Sequence, residues 1–210
     1  MTKSHDDYKA FWESDSLDEA KLKIASVPNW DTEWVDHLKY LNPTGKSWCR
    51  VMDIGCGVGR IASKFPCEEI VGVDIARSMI EMAPWMVISR HGFMAAKTYD
   101  WRLVDSDNVI MHGHDHGTFD YVYSLMTFQH LPIETIRAYL KQLPDGLAPG
   151  GQVCIQTRVG KLGDTVIHGH HFENGDHFAS EFESAGLTVS RVDVGGLHPD
   201  WIWVYAEKGN

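Results

Sequence analysis

Short apolar runs recur along the chain from residue 48 onward, with amphipathic stretches between them. Runs of about four to eight residues, rich in β-branched and aromatic side chains and bounded by turn-forming residues, are typical of buried strands. Seven runs fit this description, at residues 50–54, 70–73, 101–104, 119–124, 152–157, 187–194 and 201–206. The pattern therefore predicts a sheet of seven strands.

Helical patterns follow the first, second, fourth and fifth of these strands. Apolar residues at helical spacing predict helices over residues 58–65, 76–83, 133–143 and 178–185. Strands that alternate with helices favour a parallel sheet covered on both faces. The last two strands follow each other without a helix, which indicates an antiparallel hairpin. The predicted fold class is a doubly wound α/β domain with a mostly parallel, seven-stranded, Rossmann-like sheet.

Residues 1–47 differ from the rest and are predicted to be mostly helical and polar, with aromatic residues at intervals: Tyr8, Phe11, Trp12, Trp30 and Trp34. Asp31 is a suitable N-cap for a helix whose apolar stripe carries Trp34, Val35, Leu38 and Leu41. The turn-forming sequence at 42–45 ends that helix. We expect a single domain in which a helical segment, 1–47, precedes the main body, 48–210.

Composition limits the classes of protein to consider. The length of 210 residues suits one domain, and a net charge of −10 with scattered Lys and Arg argues against nucleic acid as a partner. No apolar run is long enough for a membrane span, and the first residues lack the apolar core of a secretory signal. Four cysteines without a CxxC pair favour reduced thiols. We expect a cytoplasmic protein that does not bind membranes, and oligomeric state stays open.

The stretch from Val51 to Arg60 carries the strongest chemical signal. It places Gly55, Gly57 and Gly59 directly after the first strand, where glycines let a ligand approach the backbone closely and helix N–H groups can face it. Asp74 follows 21 positions after Asp53, at the end of the next strand. A carboxylate there can accept hydrogen bonds from both hydroxyls of a ribose.

Two classes of nucleotide cofactor use such a turn, and details favour one of them. The dinucleotide pattern GxGxxG requires glycine at position 60, where this chain has Arg60. Asp53, directly before the turn, would repel a pyrophosphate and attract a ligand that carries positive charge. The sequence therefore disfavours a nicotinamide dinucleotide and favours a cationic nucleoside.

Four motifs in the same order resemble those of class I S-adenosylmethionine-dependent methyltransferases. They are Asp53-Ile-Gly55-Cys-Gly57-Val-Gly59, Val71-Gly-Val-Asp74, Phe119-Asp120-Tyr-Val-Tyr-Ser124 with Phe128-Gln-His130-Leu131, and Leu147-Ala-Pro149-Gly150-Gly151. The resemblance covers about residues 48–207 and implies the Rossmann-like methyltransferase fold, with S-adenosylmethionine as cofactor and S-adenosylhomocysteine as product. Asp120 itself is expected to be structural.

The resemblance also implies roles for individual residues. Gly55, Gly57 and Gly59, with Cys56 and Arg60 between and after them, would pass under the methionine and ribose parts of the cofactor. Asp53 would lie near its amino group, Asp74 at the ribose and Ile75 beside the adenine. Asp105 with Ser106 is the best match for the residue that reaches the adenine amino group, with Asp107 and Asp115 as alternatives. Ser124, Leu125 and Met126 would flank the methyl group. Trp12 and its neighbours resemble a lid over the cofactor, although a simply docked helix fits the same pattern.

Methyl transfer depends mainly on alignment of the reacting atoms, so an obvious base is not required. If a base is used, His130 and His170 are the candidates, His170 within the group His168, His170 and His171. A histidine that only packs at a helix start is the competing interpretation for His130. The histidines at 112, 114 and 116 and those at 168, 170 and 171 are metal-ligand types without a recognised spacing, so no metal is predicted.

The sequence leaves three functions open. A methyltransferase acting on an O, N, S or C nucleophile of a small-molecule acceptor is favoured, because no basic run or added domain for a macromolecule is present. Methylation of a protein stays an alternative. Aminopropyl transfer or cofactor cleavage would use the same fold and cofactor. A non-catalytic binding or scaffold protein is disfavoured, because the glycines, Asp53 and Asp74 are intact.

Overall fold

A computed structural model describes residues 5–13, 19, 34–91, 97–104, 108–160 and 172–209. Its helices are α1 (His5–Trp12), α2 (Trp34–Leu41), α3 (Arg77–His91), α4 (Ile133–Gly146) and α5 (Gly175–Ser184). Its strands are β1 (Trp48–Ile54), β2 (Cys67–Asp74), β3 (Thr98–Leu103), β4 (Phe119–Ser124), β5 (Leu147–Arg158), β6 (Leu187–Val194) and β7 (Trp201–Lys208). Short 3₁₀ turns occupy Gly113–Asp115 and Phe128–His130.

The seven strands form one sheet in the order β3-β2-β1-β4-β5-β7-β6. The first five strands pair in parallel, and β7 pairs antiparallel with both β5 and β6. This arrangement confirms the predicted fold class, including the C-terminal antiparallel hairpin. The strand order reverses between β1 and β4, and open α/β sheets bind ligands at the carboxyl ends of strands beside such a reversal.

Both faces of the sheet are buried, which explains why its strands are nearly continuous apolar runs. Val51 faces a core cluster with Tyr121 and Tyr123, and α2 covers this cluster through Leu41. Met52 faces the opposite cluster, which the apolar sides of α4 and α5 cover. Alternation along each strand thus supplies both cores from one set of residues.

Burial separates the two strands of the C-terminal hairpin. The first six residues of β7 are all buried, because β7 lies between β5 and β6 with both faces covered. β6 is an edge strand in which Leu187 is buried and the other residues are half-buried or exposed. Gly195 and Gly196, both with φ near +90° (+93° and +86°), form the turn between them.

The α2 helix is part of the core. The Tyr121 hydroxyl donates to the carbonyl oxygen of Leu41 at 2.5 Å, and the Tyr205 hydroxyl donates to that of Tyr40 at 2.9 Å. The Tyr40 ring also stacks on Trp203, with centroids 4.9 Å apart. Val35, which was predicted in the apolar stripe, is 45% exposed, so the buried side of this helix is narrower than expected. Asp31 and Trp30 lie outside the described residues.

The predicted helix at 58–65 is wrong in detail. Residues 57–64 form consecutive turns with mixed hydrogen bonds, such as Gly59 N–H to Cys56 oxygen and Ser63 N–H to Gly59 oxygen. Gly59 has φ +74°, which is incompatible with a regular helix at that residue. Other predicted elements exist with shifted ends: β3 begins at Thr98, β5 at Leu147, and α3 continues to His91. Every helix in the described part of the chain is too short or too polar to span a bilayer.

Candidate functional site

A cavity of about 300 Å³ opens at the carboxyl ends of β1 and β4, where the strand order reverses. Its floor is formed by the turn after β1, with contributions from the ends of β2 and β4. The Phe11 and Trp12 side chains of α1 line it from above the strand ends. Its position is the one that the sheet topology favours for a ligand.

The turn after β1 is held in shape by the end of β2. The N–H groups of Gly55 and Cys56 both donate to the carbonyl oxygen of Val73, at 2.8 and 3.0 Å. Gly55 and Gly57 have φ of +75° and +52°, a region that glycine adopts with little strain. The Cys56 side chain is buried, and burial raises the pKa of its thiol well above the ordinary value. The thiol therefore stays neutral and is not a nucleophile.

Asp74 closes this turn from the other side. Its Oδ2 accepts the N–H of Gly57 at 2.8 Å, and its Oδ1 accepts the N–H of Ala76 at 2.9 Å, just before α3 begins. Burial raises the pKa of Asp74, and these hydrogen bonds oppose the rise. The carboxylate lines the cavity while it caps the approach to α3. Each oxygen retains a lone pair beyond these bonds.

Asp53 is the more deeply placed carboxyl group, at 3% exposure. Burial raises the pKa of Asp53 to about 7, a hydrogen bond from Tyr123 opposes the rise, and the charge of Asp74 adds to it. The Tyr123 hydroxyl lies 2.8 Å from Oδ2 of Asp53. Arg60, also buried and also lining the cavity, favours the charged form. The cavity therefore has a floor at which a bound cation would be stabilised.

The structure brings together most of the residues that the sequence singled out. The predicted residues that line the cavity are Trp12, Asp53, Gly55, Cys56, Gly57, Arg60, Asp74, Ile75, Leu125, Met126 and His130. Two other predicted residues that the structure describes, Gly59 and Ser124, do not line the cavity and lie behind the residues that do. Asp105, Ser106, His168, His170 and His171 lie outside the described residues, as does the alternative Asp107, so their roles stay predictions.

Gly59 and Ser124 have packing functions. A Cβ on Gly59 would lie 2.6 Å from Cη2 of Trp101, so this glycine makes room for the indole. The Ser124 hydroxyl donates to the carbonyl oxygen of Ile54 at 2.7 Å and links β4 to β1. Both residues support the floor of the cavity from beneath.

The N-terminal helix is fixed at the mouth of the cavity. The Glu13 carboxylate, directly after α1, accepts the N–H groups of Arg77 and Ser78 at 3.0 Å each and so caps α3. The Trp12 ring meets His130 edge-on, with ring centroids 5.2 Å apart. These contacts hold Trp12 between the start of α3 and the end of β4.

A sequence profile of the methyltransferase domain matches residues 29–192. This chain belongs to the methyltransferase domain family. A search of curated proteins found no sequence that matches it. The matched range begins before β1 and includes α2, in agreement with the packing of that helix into the core.

Solved structures resemble this methyltransferase over nearly its whole length. Magnesium protoporphyrin IX methyltransferase from Synechocystis PCC 6803, with bound SAH, has a TM-score of 0.71 at 15% identity and covers 99% of this chain and 100% of its own. DhpI in complex with SAH has a TM-score of 0.68 at 18% identity, with 98% and 95% covered. The cyclase SpnF has a TM-score of 0.64 at 13% identity, with 85% and 81% covered. At these identities the likeness establishes a shared fold.

Several lining residues of the methyltransferase were missed by the sequence analysis. Thr127, Gln129 and Tyr139 line the cavity beyond the end of β4, and Arg158 lines it at the end of β5. Gln156, fully buried on β5, accepts the N–H of Met126 at 2.8 Å. Gln129 could have been predicted, because it stands between Phe128 and His130 in a stretch that resembles the family. The other residues had no such signal.

The first histidine cluster lies away from this cavity. His112 and His114 stack with ring centroids 5.8 Å apart, and the buried Asp115 pairs with Arg50 at 3.2 Å and with Arg102 at 2.6 Å. Asp115, an alternative for the adenine contact, thus has its carboxylate committed to two arginines. Among the residues that the structure describes, no group of three side chains has a metal-binding arrangement. The second cluster lies outside them.

Proposed function

We propose that this methyltransferase transfers a methyl group from S-adenosylmethionine to a nucleophile of a small organic acceptor. The observation that carries the proposal is the pairing of two carboxyl groups, the buried Asp53 and the half-buried Asp74, with an open glycine turn at one cavity. A nucleoside with a sugar diol and a positive charge matches this set of groups, whereas a pyrophosphate does not.

The residues present fit the cofactor. Asp53 would neutralise the positive charge of its methionine part, and Asp74 would accept from its ribose hydroxyls. Ile75, Met79 and Val104 form an apolar wall suited to an adenine ring. When bound, S-adenosylmethionine supplies an electrophilic methyl group on a sulfonium sulfur. The S-adenosylhomocysteine (SAH) bound in two solved structures of this fold, one of them a methyltransferase, supports the assignment.

The acceptor would bind beside the ends of β4 and β5. Leu125, Met126 and Leu131 are apolar there, while Gln129, His130 and Arg158 supply polar groups. The net charge of −10 disfavours a nucleic-acid acceptor. Phe11 and Trp12 narrow the entrance, which supports a small acceptor and a role for α1 as a lid that excludes water.

Calorimetric titration with S-adenosylmethionine tests the cofactor assignment. We expect one site with a dissociation constant in the micromolar range, and absence of heat at tens of micromolar would contradict it. Incubation of the bound complex with pools of small amines, phenols, carboxylates and thiols then tests the reaction. Formation of S-adenosylhomocysteine together with a methylated product supports methyl transfer, and another sulfur product would assign the chain to a different chemistry on this fold.

A further inference from the structure

A row of amide groups leads from the middle of the sheet to the ring of His130. It starts at the backbone N–H of Met126, passes through the side chains of Gln156 and Gln129, and ends at Nε2 of His130. We call the two glutamine side chains the amide relay. Both are buried, at 0% and 6% exposure, so water does not substitute for their contacts.

Backbone groups determine where the oxygen and the nitrogen of the Gln156 side-chain amide lie. The Met126 N–H can only donate, and it lies 2.8 Å from Oε1 of Gln156. The Thr157 carbonyl oxygen can only accept, and it lies 2.6 Å from Nε2 of Gln156. Rotation of this amide by half a turn would set donor against donor at one end and acceptor against acceptor at the other.

Met126 strengthens this constraint. Its φ is +57°, which is uncommon for a residue with a side chain and places it in the left-handed region. The hydrogen bond from its N–H to Gln156 therefore helps to hold a strained backbone directly after β4. The orientation of Gln156 and the path of the chain at the cavity wall depend on each other.

Gln156 in turn orients Gln129. The Nε2 of Gln156 lies 3.5 Å from Oε1 of Gln129, a long hydrogen bond whose polarity matters more than its strength. The reversed Gln129 amide would place two NH₂ groups face to face. In the observed orientation Gln129 presents its own Nε2, a donor, to Nε2 of His130 at 3.1 Å.

We propose that the amide relay holds His130 as a neutral imidazole with its proton on Nδ1. Because Gln129 offers N–H groups, Nε2 of His130 must be the acceptor in this contact, and a neutral ring then carries its proton on the other nitrogen. Gln129 and Gln156 are thus positioning residues. His130 lines the cavity, and in this tautomer its Nε2 is already engaged by Gln129 and does not serve as a general base.

The consequence for the reaction rests on the proposed function. An acceptor methylated in this cavity would bring its nucleophilic lone pair already available, as a neutral amine or a carboxylate does, and would not give its proton to Nε2 of His130. The tautomer is a property of the protein without cofactor. The tautomer assignment can therefore fail while cofactor binding and methyl transfer are observed. Equally, the tautomer can be as proposed in a protein that does not transfer a methyl group.

The test is ¹⁵N NMR of the full chain with labelled histidine rings, at slightly alkaline pH and without cofactor. Two-bond couplings from ring protons to ring nitrogens distinguish the tautomers, and the His130→Gln spectrum identifies the His130 signals. We expect a protonated Nδ1 and an unprotonated Nε2 in the wild-type protein. A protonated Nε2, a rapidly exchanging mixture or an imidazolium would overturn the proposal.

Two variants test the relay by reversing its polarity. Gln129→Glu offers only acceptors to His130, so the proton should move to Nε2. Gln156→Glu does not touch His130, yet it should let Gln129 turn and present its oxygen, with the same change at Nε2. Gln142→Glu is the matched control, because Gln142 also bonds backbone groups, the N–H of Ile110 and the carbonyl of Ala138, and is not part of the cavity. An unchanged tautomer in a folded Gln129→Glu protein, or an equal change in the control, would contradict the relay.

Discussion

The Tyr123 hydroxyl donates a 2.8 Å hydrogen bond to Oδ2 of Asp53, its partner across the β1–β4 ladder. Tyr123 is fully buried and Asp53 nearly so. Burial disfavours the charged carboxylate, whereas the hydroxyl stabilises it, and the pKa of Asp53 settles at about 7. Near neutral pH, Asp53 is therefore protonated in about half of the molecules and ionised in the others. A bound cation would favour the ionised form.

Cofactor affinity should therefore depend on pH. Because binding of a cation favours ionised Asp53, the dissociation constant for S-adenosylmethionine should fall about tenfold between about pH 6 and pH 8, as a pKa near 7 implies. Calorimetry across this range in the wild-type protein and in Asp53→Asn measures the effect. We expect weaker binding and a flatter profile for the variant. If the dissociation constants of the two proteins depend on pH in the same way, Asp53 does not interact with the charge of the cofactor.

The same carboxyl group should make the free protein less stable as pH rises. A folded-state pKa raised from 3.8 to about 7 means that the folded protein binds more protons than the unfolded chain between these values. The free energy of unfolding then falls with pH over that window, on the order of a few kcal/mol for this group. The free energy of unfolding of both proteins should be measured in urea at pH 5 and pH 8. Relative to the wild type, Asp53→Asn should be more stable at pH 8 than at pH 5. A constant difference between the two proteins would contradict the raised pKa.

Replacement of Tyr123 by Phe should move the pH profile of binding upward. The ring and its stacking on Phe65 remain, but the hydrogen bond that favours ionised Asp53 is lost. A hydrogen bond to a charged group contributes about 1.5–3 kcal/mol, so a rise of about one to two pKa units is expected, with cofactor binding near pH 7 weaker by roughly fivefold or more.

Tyr121→Phe is the matched control for this variant. Tyr121 lies two residues away on the same strand, equally buried, and donates to the carbonyl of Leu41 instead of to Asp53. Its loss should lower stability and leave the midpoint of the binding profile in place. If the two variants shift the midpoint equally, the effect comes from loosening of the sheet and not from the Tyr123–Asp53 bond.

Asp74→Ala should weaken cofactor binding more than tenfold. The structure adds that stability should also fall by roughly 1–3 kcal/mol, because the N–H groups of Gly57 and Ala76 lose their acceptor. Asp120→Ala separates the two effects, since Asp120 also accepts a backbone N–H, from Arg50 at 2.8 Å, near the start of β1. We expect the control to lose stability and keep its affinity in calorimetry. If Asp74→Ala binds the cofactor with unchanged affinity, Asp74 does not contact the cofactor.

Local sequence was sufficient for much of the fold. Strands such as Phe119–Ser124 and Leu187–Val194 are recovered with their observed bounds, because runs of strand-forming residues ended by turn residues depend on nearest neighbours alone. The stretch 58–65 failed for the opposite reason. Trp101, from β3, packs against Gly59 and Gly72 and contributes to the irregular turns there, a contact that joins residues far apart in sequence.

The same distinction divides the residues of the cavity. Glycines and acidic residues at strand ends were predictable, because their chemistry depends on position along the motif. Gln129 and Gln156 carry no spacing signature, and they meet only because β5 pairs with β4 and brings residues 27 positions apart together. The role of His130 was therefore open at the sequence level, since Gln129 is its neighbour in sequence but meets Gln156 only through this pairing.

The final prediction concerns the approach of Thr127 to Gly55. A Cβ on Gly55 would overlap the Thr127 side chain, whose hydroxyl donates to the carbonyl oxygens of Gly55 and Leu125 at 3.3 and 3.2 Å. Gly55 also has φ +75°. Gly55→Ala should thus suffer both backbone strain, about 1–2 kcal/mol, and displacement of Thr127 at the cavity wall, with weaker cofactor binding as the result.

Gly45→Ala isolates the backbone contribution. Gly45 has φ +64°, and no described atom lies within 4 Å of the position its Cβ would take, so the backbone strain is present without overlap. Urea unfolding should therefore show a larger loss of stability for Gly55→Ala than for Gly45→Ala. Addition of Thr127→Ala should recover part of the excess in the Gly55 variant, because a smaller side chain leaves room for the new methyl group. Equal losses in the two glycine variants would mean that the turn after β1 adapts freely, and a close fit between this turn and the end of β4 could then not explain the glycine at position 55.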